Sequence, residues 1–200
     1  MNFFEGSARV PLMMCVPGLE PRLVTQPVST LDVTPTVAGL AGIDISTLAP
    51  WTDGEDLMPL ATATGGRGPV PMEYAAEGSI APLVGIRDGK FKLTLCDVDP
   101  PILVDLDADP QELVNLADDP AHAEVFAQLK AKALARGDLS RFDAAVRESQ
   151  ARRHVVYAAL RNGAYFPWDY QPLQKASERY MRNHMDLNIL EESQRFPRGE

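Results

Sequence analysis

The sequence has few of the residues on which several common kinds of site depend. Its 200 residues include two cysteines, Cys15 and Cys96, and three histidines. Neither cysteine belongs to a CxxC motif or a Cys/His pattern, and no histidine has a partner at ligand spacing, so a zinc site of ordinary spacing is not expected. The two thiols are predicted to be free and buried, because an unpaired cysteine packs like a small hydrophobe. One disulfide also remains compatible with the count.

Two further absences exclude classes of partner. Positive charge is scarce, since 19 Lys and Arg residues stand against 28 Asp and Glu residues and the formal net charge is -9. Nucleic acid requires a basic surface. No apolar run approaches the roughly 20 residues that a membrane-spanning helix needs, and no secretion signal is recognisable. We therefore expect a cytoplasmic protein that binds neither nucleic acid nor membrane.

The first part of the chain predicts one buried strand and one helix. A hydrophobic content of 45% is enough for one core. The run Val10–Val16 is continuously apolar rather than alternating, which predicts a strand buried on both faces. Ser29 or Asp32 is the expected cap of a helix that has Pro35 in its first turn and ends near Gly42. Its predicted apolar face consists of Val33, Val37, Leu40 and Ala41. Residues 46–69 are expected to form a loop.

The middle of the chain predicts strands followed by helices. PVPMEYAAEG reads as a strand, VGIRDGKFKLTLC as a hairpin turning at Asp88-Gly89, and ILVDL as another strand. After a connector, a helix is expected to begin at Asp119-Pro120 and to end at Gly137. A second helix is expected from about Leu139 to Leu160. These elements predict a small antiparallel sheet with a helix pair.

The end of the chain has a different composition. Residues 164–200 hold three of the five tyrosines and one of the two tryptophans, with little hydrophobic periodicity. Such a segment cannot form its own core, so we expect an extended tail that lies on its own domain or contacts a neighbouring subunit. The predicted organisation is therefore 1–68, the end of an α/β core; 69–163, the sheet and helix pair; and 164–200, an oligomer-forming tail.

Acidic residues provide two ambiguous patterns. Asp105, Asp107 and Asp109 alternate as in a metal-binding loop, but the glycine and the final glutamate of a calcium loop are missing. A capped turn is therefore predicted there. Glu73 and Glu77 flank a tyrosine, and they suit either the wall of a pocket or exposed charges at the end of a strand.

Five segments, occurring in the same order, resemble recurring motifs of sulfatases of the alkaline-phosphatase superfamily. They are FFEGSARVPL, VSTLDVTPTVAGLAGID, DGEDLMPL, GIRDGKFKL and ILVDLDADPQELVNLADDP. The tail, with YFPWDYQPLQKASERYMRNHMDLN, resembles the C-terminal region of bacterial choline-sulfatases. The resemblance implies an α/β fold class: the C-terminal portion of an alkaline-phosphatase-like sulfatase fold, with a small antiparallel sheet, helices and an extended C-terminal tail.

The resemblance also implies where the chemistry of the complete enzyme lies. In this family the cysteine of Cys-x-Pro-x-Arg is converted to formylglycine, the nucleophile, and Asp, Asn and His residues bind a calcium-like divalent cation. The chain contains no Cys-x-Pro-x-Arg sequence, and Met1 and Asn2 do not supply the lysine expected before FFEGS. We therefore expect a C-terminal fragment without catalytic or metal-binding residues, which depends on a missing N-terminal part and is inactive alone.

The substrate implied by the resemblance is choline sulfate, cleaved to choline and sulfate. A quaternary ammonium group has no N–H to donate, so aromatic faces and carboxylates must hold it. The candidates for this substrate pocket are Glu73, Glu77, Trp168, Tyr170 and Asp186, together with Asp169. Glu77 and an acidic tail residue are the leading pair, whereas the two aromatic residues could equally pin the tail. Alternative functions are another sulfatase, a phosphonate monoester hydrolase, or a non-catalytic assembly module.

Overall fold

The computed structural model describes residues 3–76, 79–136 and 138–161. The chain divides into two compact units, Met1–Ala145 and Val146–Glu200. The first unit contains the sheet and its covering elements. In the second unit the described residues belong to the end of one long helix. None of the helices in the described ranges is long and apolar enough to cross a membrane.

Short helices and irregular segments precede the sheet. They are α1 (Glu5–Ala8), a 3-10 turn (Thr30–Asp32), α2 (Val33–Leu40), α3 (Ile45–Leu48) and α4 (Met58–Ala61). The predicted cap is confirmed, because the Ser29 side chain accepts from the Leu31 N–H at 3.2 Å and the Asp32 carboxylate accepts from the Ser29 N–H at 2.7 Å. The chain leaves α2 through Gly42, whose φ is +72°. The region predicted as a loop is mostly irregular.

The sheet has four antiparallel strands in the order β1 (Val70–Tyr74), β2 (Leu83–Asp88), β3 (Phe91–Cys96) and β4 (Ile102–Asp105). All four predicted strands of this region are confirmed. The tight turn between β2 and β3 uses Gly89 at a φ of +55°. Because cross-strand partners share a face, Val84, Ile86, Leu93, Leu95 and Leu103 form one apolar surface.

Both predicted helices are present and one of them covers this apolar surface. A 3-10 turn (Pro120–His122) leads into α5 (Ala123–Arg136), and α6 spans Leu139–Arg161. The Asp119 carboxylate accepts from the Ala121 N–H at 2.9 Å, which caps the first helix. Leu129 and Ala133 of α5 pack on the sheet, joined by Phe142 at the start of α6. Burial of these side chains forms the hydrophobic core.

The strand predicted at Val10–Val16 is wrong. The segment has no regular structure, and Val10 and Met13 are 57% and 90% exposed. A strand buried on both faces needs a neighbouring strand and cover on each side. The described sheet is antiparallel throughout and does not pair with this segment, so the apolar run has no such partner in the described ranges.

The predicted apolar face of α2 and the prediction of buried thiols also need correction. Val37 and Leu40 are 58% and 48% exposed. The helix instead buries Pro35, Thr36 and Ala38, because it is attached to the following loop by polar contacts on that side. Both cysteines are free, as predicted, but Cys15 is exposed and Cys96 is only partly buried.

Candidate functional site

A buried lysine lies on the sheet face opposite α5. Strand alternation directs Lys92 of β3 away from the apolar face that contains Leu93. Its side chain is 4% exposed, and Nζ lies 2.7 Å from the backbone oxygen of Phe3, 2.8 Å from Glu5 Oε1 and 2.5 Å from Glu112 Oε1. An ammonium group has three N–H donors, so all three have an acceptor. A buried ammonium without such acceptors would be strongly destabilising.

Glu112 connects the lysine to the backbone of residues 3–8, the segment that contains the single helical turn α1 and that we call the N-terminal loop. Its side chain is 4% exposed, and its Oε2 accepts from the Glu5 N–H at 2.6 Å. Glu112 also adopts a φ of +59°, the left-handed region that costs a non-glycine residue about 1–2 kcal/mol. The Asp109 carboxylate accepts from the Val114 N–H at 2.8 Å and closes the connector, residues 106–119 between β4 and the next 3-10 turn, around this residue. The connector therefore presents a preformed carboxylate to the loop.

The charges of this group balance. Arg87 Nη1 lies 3.3 Å from Glu5 Oε1, so the group consists of Glu5, Arg87, Lys92 and Glu112, which we call the loop cluster. Two carboxylates face two cations, and each charged group contacts one of opposite sign. An arrangement that satisfies its own charges is suited to holding a segment in place. It presents little unpaired charge to a substrate.

An apolar contact attaches the same loop to the sheet. A Cβ atom at Gly85 of β2 would lie 2.9 Å from Cδ2 of Phe3 and 3.1 Å from Cε of Met72. The phenyl ring thus approaches the strand backbone where only glycine leaves room. A cavity of about 60 Å³ beside the ring is lined by Phe4, Thr94 and other residues of this face, and it has space for one or two water molecules.

A second buried cluster attaches α2 to the segment before β1. The side chain of Asp32 is fully buried, and Arg67 donates to it twice, from Nε to Oδ2 at 2.7 Å and from Nη2 to Oδ1 at 2.9 Å. The backbone N–H groups of Ser29 and Glu55 donate to the same carboxylate at 2.7 and 2.9 Å. Burial raises the pKa of Asp32, but the bonds from Arg67 and from these N–H groups outweigh it and hold the pKa below the usual value.

Further bonds of Arg67 and α2 complete this attachment. Arg67 Nη1 donates to the backbone oxygens of Gly68 and Pro69 at 3.1 and 2.8 Å. The Thr36 hydroxyl donates to the Asp32 backbone oxygen at 2.6 Å and accepts from the Leu57 N–H at 2.9 Å. The helix, the DGEDL segment and the entry to β1 are therefore joined by hydrogen bonds to the buried side chains of Asp32, Thr36 and Arg67.

The connector after β4 is also organised by side chains. Asp105 Oδ1 accepts from the N–H groups of Asp107 and Ala108 at 3.1 and 3.3 Å, which confirms the predicted capped turn. Asn115 Oδ1 accepts from the N–H groups of Leu103 and Ala117, each at 3.0 Å. In the described part of the chain, no three His, Cys, Asp or Glu side chains converge closely enough to hold a metal ion.

Glu73 is the one of the five predicted pocket residues that lies within the described ranges. It lies on β1 opposite Val84, is exposed, and borders a cavity of about 30 Å³ with Ala133 and Phe142. This volume is too small for an organic substrate and corresponds to roughly one water molecule. The other predicted residues lie outside the described ranges: Glu77, Trp168, Tyr170 and Asp186, as does Asp169.

Sequence reasoning did not single out the loop cluster. One signal was available, since FKLTLC in β3 places a lysine between apolar neighbours and alternation assigns Lys92 to the second sheet face. The acidic partners gave no comparable signal. Glu5 and Glu112 are separated from this lysine by more than eighty and by twenty positions, and only the folded connector brings them together.

Comparison with solved structures finds sulfatases and a related hydrolase. A structure described as a 2-O GAG sulfatase is 28% identical, covers 54% of this chain and 24% of that chain, and has a TM-score of 0.46. The phosphonate monoester hydrolase of Agrobacterium radiobacter is 28% identical, covers 52% of this chain and 23% of that chain, and has a TM-score of 0.41.

Sequence comparison finds two family models and a curated relative. The model described as N-sulphoglucosamine sulphohydrolase, C-terminal, matches residues 2–137, and that described as Choline sulfatase enzyme C terminal matches residues 144–196. A choline-sulfatase of Rhizobium meliloti (strain 1021) is 61% identical over 206 residues, covering 100% of this chain and 40% of the relative. The aligned region is the C-terminal part of that relative, so the chain spans 40% of its length.

Proposed function

The chain belongs to the sulfatase family, and we propose that it acts as the C-terminal part of a sulfuric ester hydrolase that cleaves choline sulfate to choline and sulfate. The observation that carries this proposal is the 61% identity to a choline-sulfatase along the whole chain. Fold alone does not select a substrate. Support for choline comes from residues 144–196, which match the C-terminal model of choline sulfatases.

In this proposal the described residues position the catalytic machinery and do not react. The chain has no Cys-x-Pro-x-Arg sequence, and its described acidic and histidine side chains do not fit a metal site. We assign the formylglycine nucleophile and the divalent cation to the N-terminal part of the same enzyme. The loop cluster holds residues 3–8 on the sheet, and the Asp32–Arg67 pair fixes the segment between α2 and β1.

We further propose that the chain contributes the wall around the leaving alcohol. Choline carries a permanent positive charge, which aromatic rings and carboxylates stabilise. Glu77 and an acidic residue of the tail, together with Trp168, would provide these groups. The tail from residue 164 onward would also connect subunits of a homo-oligomer, since Trp and Tyr residues are common anchors at interfaces. A cytoplasmic location belongs to the same proposal.

The first prediction separates the chain from the complete enzyme. The complete polypeptide should hydrolyse choline sulfate, whereas the purified 200-residue chain should release no sulfate above background, because it lacks the nucleophile sequence. Sulfate release is measured with choline sulfate and an aryl sulfate, and release of the alcohol is measured with a phenylphosphonate monoester. Turnover by the chain alone would contradict the assignment of the nucleophile. A complete enzyme that prefers the phosphonate ester would overturn the proposed reaction.

The second prediction concerns the residues proposed to bind the choline group. Trp168→Ala in the complete enzyme should raise KM for choline sulfate several-fold, because a cation–π contact contributes roughly 0.5–2 kcal/mol. Glu77→Gln should raise KM for choline sulfate by a larger factor than Trp168→Ala does. Neither variant should change kcat/KM for an aryl sulfate, whose leaving group carries no positive charge. Glu124→Gln is the matched control, since Glu124 is an exposed carboxylate of α5 that accepts from Gln128 of the same helix and is not among the candidate pocket residues. If the variants changed kcat/KM for choline sulfate and for the aryl sulfate equally, Glu77 and Trp168 would have a structural role and would not bind choline.

A further inference from the structure

Building on the proposed function, we propose that Lys92 and Glu112 are positioning residues for sulfate-ester hydrolysis. They fix residues 3–8 against the sheet, and they thereby set the place of the segment that leads into this loop in the complete enzyme. Neither side chain needs to touch the substrate, because the effect passes through the backbone of the loop.

The contacts hold the loop by its backbone as well as by a side chain. Lys92 donates to the Phe3 carbonyl oxygen, Glu112 accepts from the Glu5 N–H, and the Glu5 carboxylate contacts both Lys92 and Arg87. Backbone contacts on two residues restrict translation and rotation together. A side-chain contact alone would leave the loop free to pivot.

Burial distinguishes the Lys92–Glu112 pair from the surface ion pairs of the described residues, and the Asp32–Arg67 pair shares this burial. The side chains of Lys92 and Glu112 are each 4% exposed, whereas those of Lys132 and Asp88 are 48% and 37% exposed and those of Arg152 and Glu148 are 71% and 69% exposed. A buried ion pair is often no more stabilising than apolar residues of similar volume. Its advantage here is a defined geometry, which matters where a loop must occupy one position.

Two further observations agree with this role. Glu112 keeps a left-handed φ of +59°, and such strain is commonly retained at functional sites. The segment that follows the loop is exposed and irregular, with Val10 at 57% and Met13 at 90% exposure. The position of residues 3–8 therefore depends on the loop cluster and on the contact of Phe3 with Gly85, and the following segment adds little support.

The test uses Lys92→Met and Glu112→Leu in the complete enzyme, singly and together. Each single variant should lower kcat for choline sulfate about 10- to 100-fold, since small displacements of reacting groups reduce rates on this scale. KM should change less than about two-fold. Hydrogen exchange at the Glu5 amide should accelerate in the same variants. Lys132→Met is the matched control because it removes an exposed lysine of a surface ion pair, and it should leave both readouts unchanged.

The double variant separates positioning from stability. Removing both buried charges should restore much of the thermal stability lost in each single variant, while kcat and exchange at Glu5 remain perturbed. If kcat recovers together with stability, or if only KM changes, the positioning role is refuted. A wild-type enzyme active on an aryl sulfate but not on choline sulfate would overturn the substrate proposal alone, and kcat would then be read on the aryl sulfate. Unchanged exchange at Glu5 would refute the inference whichever substrate is hydrolysed.

Discussion

Replacement of Arg67 by methionine is expected to destabilise the contact between α2 and the segment before β1 by about 3–5 kcal/mol, the usual effect of removing one partner of a buried ion pair. The variant leaves the Asp32 carboxylate, which is 0% exposed, without its cation. Two backbone N–H groups remain bonded to it, but they do not compensate a full charge. Hydrogen exchange at the Ser29 and Glu55 amides of the complete enzyme measures the free energy of local opening.

The double variant Asp32→Asn with Arg67→Met provides the control. Asparagine carries no charge and keeps one acceptor oxygen, whereas the Ser29 and Glu55 N–H groups donate to different oxygens of the carboxylate. Protection should therefore return in part, at one of the two amides. The acid dependence follows from the lowered pKa of Asp32. Stabilisation by the pair is fully present above the ordinary carboxyl pKa of 3.8 and is lost as the pH falls through the lower pKa of the folded state. Equal protection in Arg67→Met and wild type at neutral pH would contradict the prediction.

The recurring motifs of the sequence act mainly as attachments between elements. Asp32 lies in VSTLD and bonds to Glu55 of DGEDL, while Glu5 of FFEGS contacts Lys92 of GIRDGKFKL. Glu112 of DPQEL completes the loop cluster. Charged residues with buried partners tolerate little replacement, because each replacement leaves an unpaired charge. These motifs therefore identify the family through its architecture, and the substrate must be sought in other residues.

Local signals predicted the sheet and the helices well. The Asp88-Gly89 pair, alternating apolar residues and the capped start at Asp119 each act within a few positions, and the structure has a hairpin and helices at these places. The Asp105 turn was predicted for the same reason. These features depend on neighbours in sequence, so periodicity and turn chemistry are sufficient to find them.

The failures all involve partners distant in sequence. Val10–Val16 has the composition of a buried strand, but in the described ranges no strand pairs with it. The apolar face of α2 is exposed because its polar side, through Asp32 and Thr36, is the attached one. Lys92 was overlooked since its carboxylate partners lie far along the chain. Pairing of this kind is decided by tertiary contacts, which a single sequence does not display.

Gly54→Ala is expected to disrupt the attachment of the DGEDL segment to α2. A Cβ at Gly54 would lie 2.2 Å from the backbone oxygen of Leu31 and 3.1 Å from Cγ of Pro35. Because a backbone oxygen cannot rotate away as a side chain can, the segment itself must move. That movement would lengthen the bond from the Glu55 N–H to Asp32. Overpacking of this kind typically costs about 1–3 kcal/mol, and we expect the upper part of that range.

Gly39→Ala, inside α2, is the matched control. Its Cβ would lie 3.4 Å from Asp56 Oδ2, an ordinary contact with a movable side chain, and alanine is favoured over glycine in a helix by about 1 kcal/mol. Hydrogen exchange at Glu55 should therefore accelerate in Gly54→Ala and stay constant or slow down in Gly39→Ala. Equal exchange in both variants would contradict the prediction. It would show that the DGEDL segment can move away from Leu31 without loosening the hydrogen bonds of Asp32.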